Sequence, residues 1–238
     1  MRRVRRCDIG ERVLEGELMD DPGLDPGRHR HALRGLARIN RASAASRPIA
    51  HAIREAQARL GRRVRVVDVA AGSGDVAIGA ARRCGVACEL VLTDISGIAL
   101  EAAADRAHAA GVEVLTEPLD VFAGSMPEGD LLICTLFLHH LRDDEAVGVL
   151  SRMREACNDS VLVSDLRRGA WGTGLASVVP RVLTRSPVVH VDAVRSARAA
   201  WSIPEMRALA DRAGLEGAGI EACFPARMLM RWIRESVP

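Results

Sequence analysis

The sequence predicts an α/β protein with a doubly wound sheet of seven strands, the last of them antiparallel. Short apolar runs alternate with segments of helical periodicity from residue 64 onward, and this alternation is typical of parallel strands joined by crossover helices. The first run, Val64–Val69, leads into a turn that contains two glycines and opens a helix. Two runs follow the last helix with no helix between them, so they predict a hairpin at one edge of the sheet.

Strands are predicted where an apolar run is short and is bounded by turn residues. The run at residues 130–135 is apolar along most of its length, as expected of a strand covered on both faces. The predicted strands cover residues 64–69, 88–93, 112–116, 130–135, 160–164, 215–223 and 227–232.

Helices are predicted where apolar residues recur every three or four positions. Ser96 is a predicted N-cap, and Pro204 suits the first turn of a helix. The predicted helices cover residues 28–39, 48–60, 75–84, 97–110, 143–156, 172–183 and 204–213.

Two segments lie outside the strand and helix alternation. Residues 1–58 precede the first strand and predict an N-terminal helical cap, and residues 59–238 form the main domain. Residues 166–203 separate the fifth strand from the next helix, which is too long for a plain loop. This insertion is predicted to act as a lid on the substrate side, because open α/β sheets bind ligands at the carboxyl ends of their strands.

The composition excludes several classes of function. All 33 basic residues counted as Lys or Arg are arginine, and the chain has no tyrosine. A Walker-A phosphate loop and a Schiff-base mechanism both need lysine, and a short-chain dehydrogenase needs its Tyr/Lys pair. The net charge of +2 gives no reason to expect a nucleic-acid partner.

The expected location is the cytoplasm. Six cysteines are scattered without a C-x-x-C pair, so no metal site is predicted and the thiols suit a reducing compartment. No apolar run approaches the roughly 20 residues that a membrane span needs, and the first residues lack the apolar stretch of a secretion signal.

The turn after the first strand fits two kinds of nucleotide site. Residues 72–77 satisfy the pattern G-x-G-x-x-G/A, and Asp94 follows Gly74 by 20 residues, as in dinucleotide-binding proteins. Asp68 and Asp75 stand beside this turn, and two acids oppose a bound pyrophosphate. A ligand with a sulfonium and an ammonium group but no phosphate makes both acids favourable neighbours.

Four motifs follow one another between residues 64 and 165. They are Asp-Val-Ala-Ala-Gly-Ser-Gly-Asp at 68–75, Thr-Asp-Ile-Ser at 93–96, Leu-Asp-Val at 119–121, and residues 130–141 with the pair His139-His140. In this order they resemble class I S-adenosylmethionine-dependent methyltransferases, in particular the ubiquinone/menaquinone-methylase-like branch. The resemblance implies a Rossmann-like fold and S-adenosylmethionine as the cofactor. Ala70 departs from the family, which usually has glycine there.

The resemblance also implies which residues meet the cofactor. Asp94 would hold the ribose hydroxyls, Asp120 would contact the adenine, and Val121 would pack against its ring. The full set of implied cofactor residues is Asp68, Ala70, Gly72, Ser73, Gly74, Asp94, Ile95, Asp120, Val121, Thr135 and Leu136.

The acceptor side is predicted from the residues that follow strands four and five. His139 or His140, as a neutral imidazole, would act as the general base that removes a proton from the acceptor. Residues 17–22, 165–168 and 190–192 resemble bacterial methyltransferases of small molecules. The substrate contacts expected from these flanks and the insertion are Arg167, His190, Met19 and Trp171.

The function predicted from the sequence is methyl transfer to a small phenolic, polyketide or quinone-like metabolite of secondary metabolism. O-methylation is favoured over C-methylation. Two alternatives stay open at this point, an NAD-dependent oxidoreductase and an inactive nucleoside-binding partner protein. The sequence leaves the oligomeric state open between a monomer and a homodimer.

Overall fold

The computed structural model describes residues 10–21 and 23–235, so the first nine residues of the predicted cap lie outside it. Short 3₁₀ turns occur at Leu18–Asp20 and Leu138–His140. The helices are α1 (Pro26–Ala42), α2 (Ser46–Leu60), α3 (Asp75–Cys84), α4 (Gly97–Ala110), α5 (Asp143–Ala156), α6 (Ala170–Leu183), α7 (Pro187–Ala199) and α8 (Ile203–Arg212). The strands are β1 (Val64–Val69), β2 (Cys88–Asp94), β3 (Leu115–Pro118), β4 (Gly129–Thr135), β5 (Cys157–Leu166), β6 (Gly219–Cys223) and β7 (Arg227–Ile233).

The seven strands form one sheet in the order β3-β2-β1-β4-β5-β7-β6. The first five are parallel to one another, and β7 runs antiparallel to both β5 and β6. The predicted fold class, including the antiparallel last strand, is therefore confirmed.

Both faces of the sheet are covered by helices because alternate side chains of its central strands are apolar on both sides. Val64 and Val66 of β1 pack with residues of α2, α3 and α4, whereas Val67 and Val69 pack with residues of α5 and α8. Because β1, β2, β4 and β5 are parallel, their carboxyl ends lie at the same edge of the sheet. The candidate site lies at this edge.

Several predicted boundaries were wrong by two to four residues, and three strands show why. The strand predicted at 112–116 begins at Leu115, because the N–H of Val112 closes the end of α4 by donating to the carbonyl of Ala107 at 3.0 Å. The strand predicted at 160–164 spans Cys157–Leu166 because it pairs with β4 and β7 beyond its apolar centre. The strand predicted at 215–223 begins at Gly219, after turns that follow α8.

The predicted boundary between cap and main domain, at residue 58, falls inside α2. Ile49 and Ile53 of this helix are fully buried against the sheet, so α2 belongs to the layer of helices that covers it.

The predicted insertion folds as the helical hairpin α6–α7, and residues 10–21 run along it. We call residues 10–21 the strap. Arg12 in the strap donates to the carbonyl oxygens of Ala199, His139 and Leu141 at 2.6, 2.9 and 2.7 Å. Within the described residues, no helix combines the length and apolarity that crossing a membrane requires.

Candidate functional site

The turn between β1 and α3 has an unusual backbone that fixes its shape. Ala70, Gly72 and Gly74 all have positive φ angles, of 55°, 56° and 63°. The N–H of Ala71 donates to the Thr93 carbonyl at 2.8 Å, and the N–H of Gly74 donates to the Ala71 carbonyl at 2.9 Å. The first bond ties the turn to β2, and the second closes the turn itself. Ala70 holds the left-handed conformation that glycine adopts more readily, so the departure from the family pattern preserves the turn.

The two glycines of the turn have different surroundings. A Cβ atom added to Gly74 would lie 2.7 Å from Leu92 Cδ1 and 3.0 Å from Ile78 Cδ1, so Gly74 allows the turn to pack on the core. A Cβ added to Gly72 would meet nothing within 4 Å. Gly72 therefore borders open space at the mouth of the turn, where a ligand can approach the backbone closely.

Asp94, at the end of β2, is held beside the turn by two backbone donors. Its carboxylate accepts from the N–H of Gly72 at 2.8 Å and from the N–H of Ser96 at 2.9 Å. Burial raises the pKa of Asp94, while these two N–H groups oppose that shift. Asp94 is partly exposed, so its carboxylate can accept further donors.

Asp68, within β1, is fully buried, and neither of its carboxylate oxygens has a hydrogen-bond partner among the described residues. Burial, with the nearby charges of Asp75 and Asp94, raises the pKa of Asp68 well above its ordinary value. A buried carboxyl without a donor is costly, so this position suits a ligand that brings a cation or a donor to it.

Asp75 lies differently from the sequence argument, which placed it beside the ligand. Its carboxylate accepts from Asn40 Nδ2 at 3.0 Å, and Asn40 Oδ1 accepts from Arg227 at 2.8 Å. Asp75 thus links α3 to α1. Ser73 is also engaged locally, because Arg106 donates to its carbonyl oxygen at 3.0 Å and to its hydroxyl at 3.3 Å.

The predicted adenine end lies beyond β2 and β3. Asp120 accepts from the N–H of Phe122 at 2.8 Å. Val121 is buried in the core between the sheet, α5 and α8, so its side chain is already packed there. Ile95 and Phe122 are 75% and 54% exposed and offer free apolar surface near Asp94 and Asp120.

The acceptor side is built by the turn after β4 and by the end of β5. Thr135 is buried at the end of β4, and Leu136, with a φ of 56°, donates its N–H to the Ser164 carbonyl at 2.9 Å. This turn brings His139 to Asp165. The backbone N–H of His139 donates to Asp165 Oδ2 at 3.0 Å, and the imidazole Nδ1 of His139 lies 2.6 Å from Asp165 Oδ1.

His140 and the strap complete this side. His140 Nδ1 lies 3.1 Å from Asp20 Oδ2, and the two imidazole rings are 4.3 Å apart between centroids. The Nε2 atoms of His139 and His140 lie 3.7 and 3.8 Å from the same atom, Glu17 Oε1. The adjacent histidines therefore converge on one carboxylate.

The protonation of His139 differs from the neutral imidazole that the sequence suggested. Burial opposes a charge on this ring, but the carboxylates of Asp165 and Glu17 outweigh it and raise the pKa of His139 to about 10. With the strap in this position, the imidazole carries a proton at neutral pH.

The four predicted substrate residues do not gather at one point. Trp171 is 68% exposed on α6. His190 Nε2 lies 2.8 Å from the carbonyl oxygen of Thr184, inside the hairpin α6–α7. Met19 packs near the contact of α1 with α7, and its N–H donates to Asp192 at 3.1 Å. Arg167 is half-buried at the end of β5, and its N–H donates to the carbonyl of Ala226.

Comparison with known proteins agrees with this geometry. Residues 66–160 match the family model described as a methyltransferase domain. The match covers less than half of the chain. The matched region contains the glycine turn, Asp94 and both histidines. No curated protein matches the sequence.

Solved structures of methyltransferases share the fold at low sequence identity. The S-adenosylmethionine-dependent methyltransferase SibL in its apo form is 20% identical with a TM-score of 0.61, over 97% of this chain and 66% of that one. Magnesium protoporphyrin IX methyltransferase from Synechocystis PCC 6803, with bound S-adenosylhomocysteine, is 14% identical with a TM-score of 0.55, over 91% of each chain. An O-methyltransferase family 2 protein from Planctomyces limnophilus DSM 3776, in complex with apigenin, is 16% identical with a TM-score of 0.55, over 72% of this chain and 50% of that one. This chain spans about half the length of several structures that it matches.

Several residues of the candidate site were not predicted as site residues from the sequence. Glu17 and Asp20 lie in an acidic segment far from the histidines in the chain, and Phe122 follows the Leu-Asp-Val motif directly. The exposed aromatic after that motif was a local signal that could have been used. No local signal indicates that Glu17 reaches His139.

Proposed function

We propose that the chain is an S-adenosylmethionine-dependent methyltransferase that methylates a small phenolic, polyketide or quinone-like acceptor, preferentially on oxygen. The observation that carries the proposal is the pairing of Gly72 with Asp94. Gly72, which borders open space, donates its N–H to the carboxylate of the partly exposed Asp94. A ribose with two hydroxyl groups suits such a carboxylate.

The residues at the turn fit this cofactor better than a dinucleotide. Asp68 is buried without a donor, and its pKa is raised, so a cationic group close to it lowers the cost of its charge. A pyrophosphate in the same place would add negative charge beside Asp68 and Asp94. Ile95 and Phe122 provide exposed apolar surface for the adenine near Asp120.

The chemistry asks the chain mainly for alignment and for control of one proton. Bound S-adenosylmethionine supplies a methyl group on a sulfonium. As the acceptor oxygen forms its bond to the methyl carbon, the carbon–sulfur bond breaks and S-adenosylhomocysteine leaves. The chain must hold the oxygen in line, exclude water and take up the acceptor's proton.

His139 and His140 are the groups that we propose for the acceptor side. They follow β4, at the edge of the sheet where β1 and β2 present the cofactor turn. Asp165 fixes the ring of His139 through Nδ1, so its Nε2 is the atom available to the acceptor. In this proposal the acceptor displaces Glu17 from that position.

The proposed substrate class rests on the small molecules named for two of the solved structures. The Planctomyces relative is a complex with apigenin and the Synechocystis relative is named for magnesium protoporphyrin IX, so this fold accommodates small acceptors. We propose that the lid hairpin α6–α7 with Trp171 and His190 borders the acceptor, together with Met19 and Arg167.

Calorimetry with S-adenosylmethionine, S-adenosylhomocysteine and NAD tests the cofactor directly. We expect binding of the first two and none of NAD, while NAD binding alone would favour an oxidoreductase. A panel of phenols with radiolabelled S-adenosylmethionine then tests transfer. Cofactor binding without transfer to any phenol, quinol or polyketide would favour the inactive partner protein.

A further inference from the structure

We propose that Glu17, His139 and His140 form a binding site for a divalent transition-metal ion. One potential ligand atom from each of the three residues lies within 4.8 Å of those of the other two. The earlier expectation of no metal site rested on the cysteine pattern, and the proposed site contains no cysteine.

The distances suit ligands of one ion better than hydrogen-bonded partners. Separations of 3.7 and 3.8 Å between Glu17 Oε1 and the two Nε2 atoms are too long for hydrogen bonds. The third separation, between the two imidazole nitrogens, is at most 4.8 Å. The centre of a triangle with these sides lies about 2.4 Å or less from each atom, close to Zn–N and Zn–O bonds of about 2.0–2.2 Å. Movements of a few tenths of an ångström would complete the bonds.

Each histidine also has the partner that a metal-binding imidazole requires. His139 Nδ1 lies 2.6 Å from Asp165, and His140 Nδ1 lies 3.1 Å from Asp20. A carboxylate that accepts the Nδ1 proton orients the ring. A metal ion at Nε2 would displace the second proton that His139 carries at neutral pH, because a ligating imidazole is neutral. Both Nε2 atoms then point toward Glu17. Packing of the turn does not require two adjacent histidines that each pair with a carboxylate through Nδ1 and place Nε2 near the same Glu17 oxygen.

The third ligand is also held in place. Glu17 is largely buried, and one of its oxygens accepts from the hydroxyl of Ser196 on α7. The next two residues of the strap, Leu18 and Met19, donate their N–H groups to Asp192 at 2.8 and 3.1 Å. The strap therefore presents Glu17 to the histidines in a fixed position.

The donor set indicates the kind of ion. Two imidazole nitrogens and one carboxylate oxygen match the ligands of catalytic zinc sites, which keep a fourth position open. Three carboxylates, Glu17, Asp20 and Asp165, surround two imidazoles, so a doubly charged cation offsets the excess negative charge. Resting on the proposed function, the open position would take the acceptor oxygen and lower its pKa. In the metal-bound protein, Glu17 and the two Nε2 atoms stay on the ion, so the acceptor binds the ion and does not displace Glu17.

Metal binding by the full chain tests the site. Zinc titration by calorimetry on chelator-treated protein should give one equivalent bound, with the affinity at least ~100-fold weaker in Glu17→Gln and in His140→Asn, and about tenfold weaker in Asp20→Asn. His51→Ala is the matched control, because His51 lies exposed on α2 and pairs only with Glu55 among the described residues. Cobalt in place of zinc should give a spectrum without thiolate charge-transfer bands, which separates this site from binding by the paired thiols of Cys84 and Cys88.

The outcomes are distinguishable from failure of the proposed function. S-adenosylhomocysteine affinity, measured on each variant, reports the cofactor turn and the integrity of the fold. Stoichiometric zinc binding that Glu17→Gln and His140→Asn abolish supports the site even if no cofactor binds. The proposal is overturned if wild-type protein binds no zinc, if both variants bind it as wild type does, or if the cobalt spectrum shows thiolate ligands.

Discussion

Replacing either glycine of the β1–α3 turn by alanine separates the role of the backbone in folding from its role in cofactor binding. Gly72 and Gly74 are two positions apart, and both have positive φ angles. An alanine in this conformation costs about 1 kcal/mol at either position. The two substitutions differ in what the added methyl group meets.

At Gly74 the added methyl would lie 2.7 Å from the side chain of Leu92, which is fully buried. Overpacking of this kind costs about 1–3 kcal/mol, so Gly74→Ala should lower the free energy of unfolding by about 2–4 kcal/mol. At Gly72 the methyl enters open space, and only the backbone cost of about 1 kcal/mol applies. That space is where the cofactor approaches in the proposed function, so the methyl should weaken S-adenosylhomocysteine binding about 10–100-fold, or about 1.4–2.8 kcal/mol.

Urea denaturation and calorimetry with S-adenosylhomocysteine measure the two effects on the same proteins. Gly72→Ala should lose affinity with little loss of stability, and folded Gly74→Ala should keep its affinity within about threefold while losing stability. An unchanged affinity in Gly72→Ala, or an equal loss of affinity in both variants, would refute the assignment of Gly72 to the cofactor.

Three further predictions follow from the same geometry. Asp94→Ala should weaken S-adenosylhomocysteine binding about tenfold or more, because hydrogen bonds to a charged group contribute about 1.5–3 kcal/mol; calorimetry that finds wild-type affinity would contradict it. The raised pKa of Asp68 means that its contribution to stability is complete below the ordinary aspartate pKa and is lost as pH rises through the folded-state value. Asp68→Asn should therefore be more stable than wild type near neutral pH without ligand, and urea denaturation between pH 5 and pH 8 should show a smaller loss with rising pH; parallel curves would remove the argument. His139→Ala should lower turnover about 100-fold or more while S-adenosylhomocysteine affinity changes little; unchanged turnover would end the assignment of His139 to the acceptor side.

Local features of the sequence predicted the fold well. The helices at Asp75–Cys84, Gly97–Ala110 and Asp143–Ala156 and the strand at Val64–Val69 have the bounds that were predicted. The Ser96 hydroxyl does cap α4, by accepting from the N–H of Ala99 at 3.3 Å. These features depend on periodicity and turn chemistry within a few residues, which can be read without knowing the rest of the chain. The predicted roles of the cofactor residues stay predictions, although Asp94 and Gly72 lie where those roles require.

Other parts of the site depend on contacts between distant segments. Val121 packs in a core cluster with residues of α5 and α8, and its predicted contact with the adenine stays a prediction. Asp75 was predicted to lie beside the ligand, but its carboxylate accepts a hydrogen bond from Asn40 on α1. Neither outcome can be read locally, because each depends on which helix covers that face of the sheet.

The sequence by itself determined the alternation of strands and helices, the glycine turn and the order of the four motifs. Each of these comes from short-range chemistry: apolar periodicity, left-handed glycines and helix caps. Only the tertiary structure decided that Glu17 from the strap and Asp165 from β5 meet the ring of His139. Charged side chains come together at such a point only after packing of the sheet and the lid has brought their backbones close, and no pattern within one segment records that meeting.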